Sequence, residues 1–324
     1  MTRPFATIAA SVTATLALAG TAIAGVGIAL DSPRDLDGSG SYVWAHAFAA
    51  HLEAEGMAPE TFEVGALGGD DELFDQISQG LLEVSMSPLN IVGSLDTTIF
   101  GLRLPYFFED IADVDRALHD GGMLARINEG TTPNGVRVLA VPTVGPATGI
   151  FNTQHPVESL ADMQGLRMRA LDQTQIDLFR AWGATGTIVS WAEVPNALQT
   201  GVADGYLNPA FVPLLFGHTD FIEHFTDAAI SPSLRIVIAS ENWYQGLGDD
   251  ERAIIDSAVV EANAANRAWL QTQGALLDDL RDAGVAVVEL SHEAREEFQQ
   301  ASEATYTDGT LTPEQIAEWQ AALE

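Results

Sequence analysis

Two arginines stand in the run Gly165-Leu166-Arg167-Met168-Arg169, where apolar and basic residues alternate. Alternation with period two predicts a half-buried strand. Leu166 and Met168 are expected to face a core, and Arg167 and Arg169 the opposite side. A guanidinium is a planar fork of donors that matches a carboxylate bidentately. In open α/β sheets ligands collect at the carboxyl ends of strands, and Arg169 falls at such an end. Arg167, two residues earlier, reads as solvated or structural. Asn208 closes a second strand before Pro209. Its amide can donate to a carboxylate and accept from a hydroxyl or amine, or it can serve as a turn residue. Trp191 offers a flat ring that could wall a pocket, stack on a ligand or receive a cation. Its alternative role is a core anchor at a helix start. Tyr206 and Phe211 are candidates of the same kind. Asp31 ends the first strand beside a glycine-rich loop. There it could pair with Arg169, accept a ligand amine, or cap the loop.

This set suits recognition of a small polar molecule. Bond-breaking chemistry finds less support. The chain contains neither Gly-x-Ser-x-Gly nor Gly-x-Gly-x-x-Gly, and its seven histidines are scattered. His46 and His51 are five apart on a predicted helix and do not share a face. Asp35-Leu36-Asp37-Gly38 hints at a calcium loop, but Pro33 and Trp44 stand at its first and last ligand positions, where Asp and Glu are required. No metal or cofactor is expected.

The elements that must hold these residues can be read along the chain. Gly25 to Leu30 is an apolar strand. Trp44, Phe48 and Leu52 share one face of a helix that Gly56 stops. Phe62-Glu63-Val64 reads as a strand, Asp70 to Gly80 as a helix and Leu82 to Met86 as a strand. Ile176, Phe179 and Trp182 mark a helix after the Arg169 strand. Ser190 and Glu193 have capping-box spacing, and the helix they would start carries Val194, Ala197 and Leu198 and stops at Gly201. Further strands are expected at Val136–Val141, Gly149–Phe151, Val202–Asn208, Leu234–Ala239 and Val285–Leu290. Asp249 to about Asp282 is helical in composition, with Gly274 its weak point, and would reach ~50 Å at ~1.5 Å per residue. Two amphipathic stretches close the chain. Strands alternating with helices indicate α/β layers with mainly parallel strands.

The order of these pieces resembles the solute-binding proteins of tripartite ATP-independent periplasmic (TRAP) transporters, in the dicarboxylate-binding-like branch. The matching residues are Gly165-Leu166-Arg167-Met168-Arg169, Glu193-Val194, Ala197-Leu198-Gln199-Thr200-Gly201, Asp204-Gly205 and Asn208-Pro209. Gly65-Ala66-Leu67-Gly68, Leu104-Pro105-Tyr106-Phe107-Phe108 and Trp243 extend the likeness over nearly the whole chain. The resemblance implies a two-lobed fold with a cleft between the lobes and a long helix running along both. It implies that Arg169 holds a substrate carboxylate, that Asn208 touches ligand, and that the closed protein docks on a permease driven by an ion gradient. There are departures. Where many relatives have a second basic residue this chain reads Gly145-Pro146-Ala147-Thr148-Gly149; Pro195 replaces an aromatic, and Tyr206 stands where glutamine is common.

Charge and chain ends fit that picture. The net charge is −32, and all 14 basic residues are arginine. Lysine chemistry is thereby excluded, as are disulfides and thiolate sites, since the chain has no cysteine. Such acidity repels nucleic acid and anionic lipid, and it suits a salty medium in which self-repulsion is screened. Arg3, the small and apolar run Ile8–Ala19 and Ala22-Ile23-Ala24 read as an export signal cleaved before Gly25. No other segment is apolar enough to cross a bilayer, so the mature protein is not expected to be membrane-embedded.

The expected organisation is therefore a signal peptide over 1–24, a first lobe of 25–147 plus about 233–270, and a second of 148–232 plus about 271–324. The expected role is capture of a small carboxylate, which could be zwitterionic, for a TRAP permease in the periplasm. A small amine or amino alcohol held by Asp31 and the aromatics is the alternative ligand. A secreted α/β hydrolase or lyase is the alternative from another class.

Overall fold

The computed structural model describes residues 25–307 and 310–324. The expected export signal lies outside the described residues. In chain order the strands are β1 (Gly25–Ala29), β2 (Ala58–Phe62), β3 (Val84–Ser87), β4 (Val136–Ala140), β5 (Thr143–Gly145), β6 (Gly149–Asn152), β7 (Arg167–Ala170), β8 (Thr185–Ile188), β9 (Gly205–Asn208), β10 (His224–Asp227), β11 (Ser233–Leu234), β12 (Ile236–Ser240) and β13 (Ala286–Glu289). They form one sheet in the order β2-β1-β3-β12-β4, a second in the order β13-β10-β6-β9-β7-β8, and a small ribbon of β11 and β5. Each large sheet is the centre of one α/β lobe.

Apolar residues on both faces of the central strands enter cores on either side. Along β12, Ile236 and Ile238 enter the core on one face of the first sheet, and Val237 and Ala239 enter the core on the other. In the second lobe Ile150 of β6 and Leu207 of β9 face one core, and Phe151 and Tyr206 the other. This period-two sorting is what a sheet between two helical layers requires.

The sheets are mixed, where mainly parallel strands were expected. β1 is parallel to β2 and β3, but β12 runs antiparallel to β3 and β4. In the second sheet β6 is antiparallel to β9 and β10, and the pairs β7–β8, β7–β9 and β10–β13 are parallel. The reason is the route of the chain. A parallel neighbour needs a long crossover connection, whereas the chain passes between lobes in short extended segments, so a strand arriving from the other lobe points against its neighbours.

Those passages form the hinge. β5 pairs antiparallel with β11, the Thr148 N–H donates to Ser231 O at 2.9 Å and the Arg235 N–H to Pro142 O at 3.0 Å. The helix Asp249–Leu270 is laid across this point, burying Ile255, Ala258, Ala262, Asn266 and Trp269. It packs on the helix Gly40–Ala54, and the Trp44 Nε1–H donates to Asn263 Oδ1 at 2.8 Å. Gly40 is needed for the close approach: a Cβ there would lie 2.3 Å from Thr143 O and 2.5 Å from the Trp269 ring. The helical run to Asp282 is interrupted after Leu270 by a turn and a 3-10 segment, Gln273–Ala275, and resumes as Leu276–Asp282. Gly274 sits in that break.

Other boundaries shift. The second strand is Ala58–Phe62 rather than Phe62–Val64, and the strand expected from Val202 begins at Gly205. The last helix, Pro313–Ala321, packs Trp319 into the core of the first lobe, with its Nε1–H donating to Thr98 O at 2.8 Å. The C-terminal segment was expected in the second lobe; the buried face of this helix is what draws it back to the first.

Candidate functional site

A cavity of about 890 Å³ opens between the lobes. The second lobe contributes the ends of its parallel strands, and Arg169, Asn208, Trp191 and Phe211 all line the cavity. β7 and β9 are parallel, with Arg169 opposite Tyr206, so the residues beyond them emerge on the same side. From the first lobe come Asp31, one residue beyond Leu30 at the end of β1, and Asp70 at the start of the helix Asp70–Gln79. Arg235, between β11 and β12, enters from the hinge.

Arg169 is the centre of the second-lobe wall. It is only 5% exposed, where the sequence pattern placed it on the face away from the core with Arg167. The two arginines differ because Arg167 lies along the protein surface, paired by Nε at 2.9 Å with Asp204 Oδ2, while Arg169 turns into the cleft. Arg169 Nε–H donates to Val189 O at 2.9 Å, and its Cζ stands 5.8 Å from the Trp191 ring centre. Its terminal nitrogens make no hydrogen bond among the described residues. Burial pushes its pKa down to about 10, opposed by Asp172, so it remains cationic at neutral pH. The Asn208 Nδ2 is likewise buried without an acceptor.

Asp31 does not pair with Arg169. Its Oδ2 is the acceptor for Arg235 Nε and for Ser41 Oγ, the latter at 3.2 Å, and its Oδ1 is buried without a donor. Burial alone would lower the pKa of Arg235; Asp31 and Asp70 more than offset it and hold the guanidinium above its ordinary value. Two carboxylates, Asp31 and Asp70, therefore flank Arg235 on the first-lobe side. The second-lobe wall is net positive at Arg169.

Two sequence expectations need correction here. Tyr206 does not line the cavity. It is fully buried behind Trp191, edge to face at 6.1 Å, and its OH lies 3.2 Å from His218 Nδ1. Tyr206 and Asn208 share one face of β9, but Tyr206 lies two residues back from the strand end and packs in the core, whereas Asn208, the last residue of the strand, reaches the cavity. The capping box at Ser190 is also altered. Ser190 Oγ donates to Glu193 Oε2 at 2.8 Å instead of accepting a backbone N–H. A 3-10 turn, Trp191–Glu193, precedes the helix Val194–Gln199 and presents Trp191 to the cleft. The Asp35 loop closes on itself, with Asp35 Oδ1 accepting the N–H groups of Asp37 and Gly38, each at 2.9 Å.

Sequence reasoning passed over Arg235 and Arg103. Both line the cavity, so the cleft has basic residues even though Gly145–Gly149 supplies none. A charged residue directly before the apolar strand at Ile236 was the available signal for Arg235. Arg103 directly precedes the Leu104–Phe108 segment already singled out.

His218 supports the aromatic wall. It is 4% exposed, with its ring 5.2 Å from Trp191 and 5.1 Å from Phe221. Burial lowers its pKa below the ordinary 6.5, so the folded protein holds it neutral. A depressed histidine contributes stability that is present above the unfolded pKa and lost as pH falls toward the folded one. The melting advantage of the wild type over His218→Gln is therefore expected to shrink between pH 7.5 and pH 5. A difference constant across that range would contradict a buried neutral imidazole.

Comparison with known proteins follows the same lines. The sequence model of the bacterial extracellular solute-binding proteins, family 7, matches residues 43–323. The ectoine-binding periplasmic protein TeaA of Halomonas elongata is 25% identical over 232 residues, 69% of this chain and 67% of TeaA. Its solved structure has a TM-score of 0.83 at 20% identity and covers 93% of this chain and 99% of that one. The sugar acid binding protein DctPAm of Advenella mimigardefordensis, in complex with galactonate, gives a TM-score of 0.83 at 22% identity, covering 92% of this chain and 97% of that one.

Proposed function

We propose that this chain, which belongs to family 7 of the bacterial extracellular solute-binding proteins, captures a small carboxylate with a hydrogen-bond-donating, cationic group and presents it to a TRAP-type permease. Members of the family bind small solutes and work with a membrane permease in the periplasm, and no described helix is long and apolar enough to cross a membrane. We assign the chain no bond-breaking step.

One observation carries the choice of ligand. The cavity walls hold buried polar atoms of opposite kind without protein partners among the described residues: the donor Asn208 Nδ2 on the wall that also carries Arg169, and the acceptor Asp31 Oδ1 on the first-lobe wall. Leaving such atoms unsatisfied is costly, and a zwitterion satisfies all of them at once. Its carboxylate would lie on Arg169 and Asn208, and its cationic group on Asp31. Trp191 and Phe211 would cover the apolar part. Contacts made to both lobes together favour the closed form. A shift from 1:99 to 99:1 requires ~5.5 kcal/mol of such differential binding.

A second reading has its own support. The terminal nitrogens of Arg235 have no protein acceptor among the described residues, so a second carboxylate could lie there, as in a diacid or sugar acid. Asp31→Asn separates the two readings by sign. Calorimetry with ectoine, succinate and galactonate is expected to give the tightest binding for ectoine in the wild type and a loss of at least tenfold in Asp31→Asn. Tighter succinate binding in the variant would favour the diacid. Binding of ethanolamine alone would replace both readings by the amine alternative.

A further inference from the structure

An acidic residue lies behind the cleft wall near the carboxylate anchor, at the start of a helix whose Thr174 and Gln175 line the cavity, and an arginine from the other lobe holds it. Asp172 follows Arg169 by three residues and is near enough to act on it electrostatically. A free carboxylate there would compete with a ligand carboxylate for the same guanidinium. Its Oδ2, however, accepts from Arg103 Nη2 at 2.6 Å. Its Oδ1 accepts from Thr174 Oγ1 at 2.6 Å and from the Gln175 N–H at 3.3 Å, as the N-cap of the helix Gln173–Ala181. Arg103 also donates to Thr174 Oγ1 at 2.8 Å.

Arg103 is firmly placed. It ends the 3-10 segment Thr97–Arg103 of the first lobe, and its Cζ lies 5.2 Å from the Phe100 ring centre. Trp319 fixes the same segment from behind, where a Cβ at Gly101 would fall 1.9 Å from the indole nitrogen. The Arg103 and Asp172 side chains are 17% and 20% exposed, so the pair is shielded and short.

We propose that Arg103 is a positioning residue for solute capture: it reaches across the cleft, occupies Asp172, and thereby leaves Arg169 free for a ligand carboxylate. This rests on the reading of Arg169 given above.

The first test needs no solute. In Arg103→Gln, Asp172 is expected to engage Arg169, seen in ¹⁵N NMR of the full chain as slowed guanidinium rotation at Arg169, with the resonance assigned through Arg169→Lys. Arg103→Gln/Asp172→Asn should return the signal to its wild-type form, and Arg103→Lys should resemble wild type because it retains a cation for Asp172. An Arg169 signal unchanged in Arg103→Gln would overturn the proposal. The second test is calorimetry with ectoine and succinate. If Asp172 occupies Arg169 in nine of ten molecules, apparent affinity falls about tenfold. Arg103→Gln should show that loss, Asp172→Asn should not, and the double variant should recover. Equal losses in Arg103→Gln and Asp172→Asn would reduce the pair to a simple latch and overturn the positioning role. If neither compound binds the wild type, the proposed function fails, and the NMR result alone decides the positioning of Asp172.

Discussion

Arg169→Met is expected to weaken binding of a carboxylate solute by at least 100-fold while leaving the ligand-free protein as stable as wild type or more so. The two effects have one cause. Arg169 is nearly fully buried, yet among the described residues only its Nε is hydrogen-bonded, to Val189 O. Taking a guanidinium out of water costs several kcal/mol unless a partner compensates it. In the unliganded cleft that compensation is incomplete, and burial already pulls the pKa down to about 10. Methionine fills similar volume with no charge to desolvate. A ligand carboxylate would complete the compensation, and truncating one member of such a buried pair costs about 2–5 kcal/mol of binding. Opposite signs for stability and affinity distinguish a binding residue from a structural one. Arg169→Lys should fall between, since it preserves charge but loses the fork. Thermal melting and calorimetry on the same samples provide the check. A variant that melts far lower and binds normally would assign Arg169 to the fold and shift the anchor to Asp31 and the aromatics.

Asn266→Ala is expected to produce the largest loss of stability among single polar substitutions, about 3–5 kcal/mol. Asn266 is fully buried in the long helix where it crosses the hinge. Its Nδ2 donates to Gly40 O at 2.9 Å and Thr143 O at 2.8 Å. Its Oδ1 accepts the Thr143 N–H at 2.9 Å and Arg267 Nη1 at 2.6 Å. One side chain thus satisfies three backbone groups from two other elements. Each buried group left without a partner costs about 1–3 kcal/mol, and alanine would remove the side-chain partner of all three. At about 2–4 °C per kcal/mol for chains of 150–250 residues, the melting temperature should drop on the order of 10 °C. Asn266→Asp should be at least as harmful, because it sets a carboxylate oxygen against two carbonyl oxygens. A drop of less than about 2 °C for either variant would mean that the helix is held at the hinge by its apolar face alone.

The sequence was most readable where one local rule governed. Leu166 and Met168 are buried as the alternation required, and Asp70 to Gly80 is a helix closed by Gly80 at φ 76°. It was less readable where a second element decided. The parallel strands expected from the βα alternation became mixed sheets, since direction depends on which lobe the chain comes from. Tyr206 and Asn208 were both drawn as cleft residues from one strand, but only the strand end reaches the cavity. The Asp31 partner was misassigned because Arg235 lies 204 positions away and no local pattern joins them.

By itself the sequence determined the α/β class, the two-lobed family resemblance, the acidic lysine-free surface and the strand-end position of Arg169 and Asn208. These follow from periodicity, composition and motif order, which act over a few residues. Tertiary structure alone decided which charges meet in and beside the cleft: Asp31 with Arg235, Asp172 with Arg103, and Arg169 with no carboxylate partner among the described residues. Ion pairing depends on distances of a few ångströms between residues far apart in the chain, and only the folded lobes set those distances.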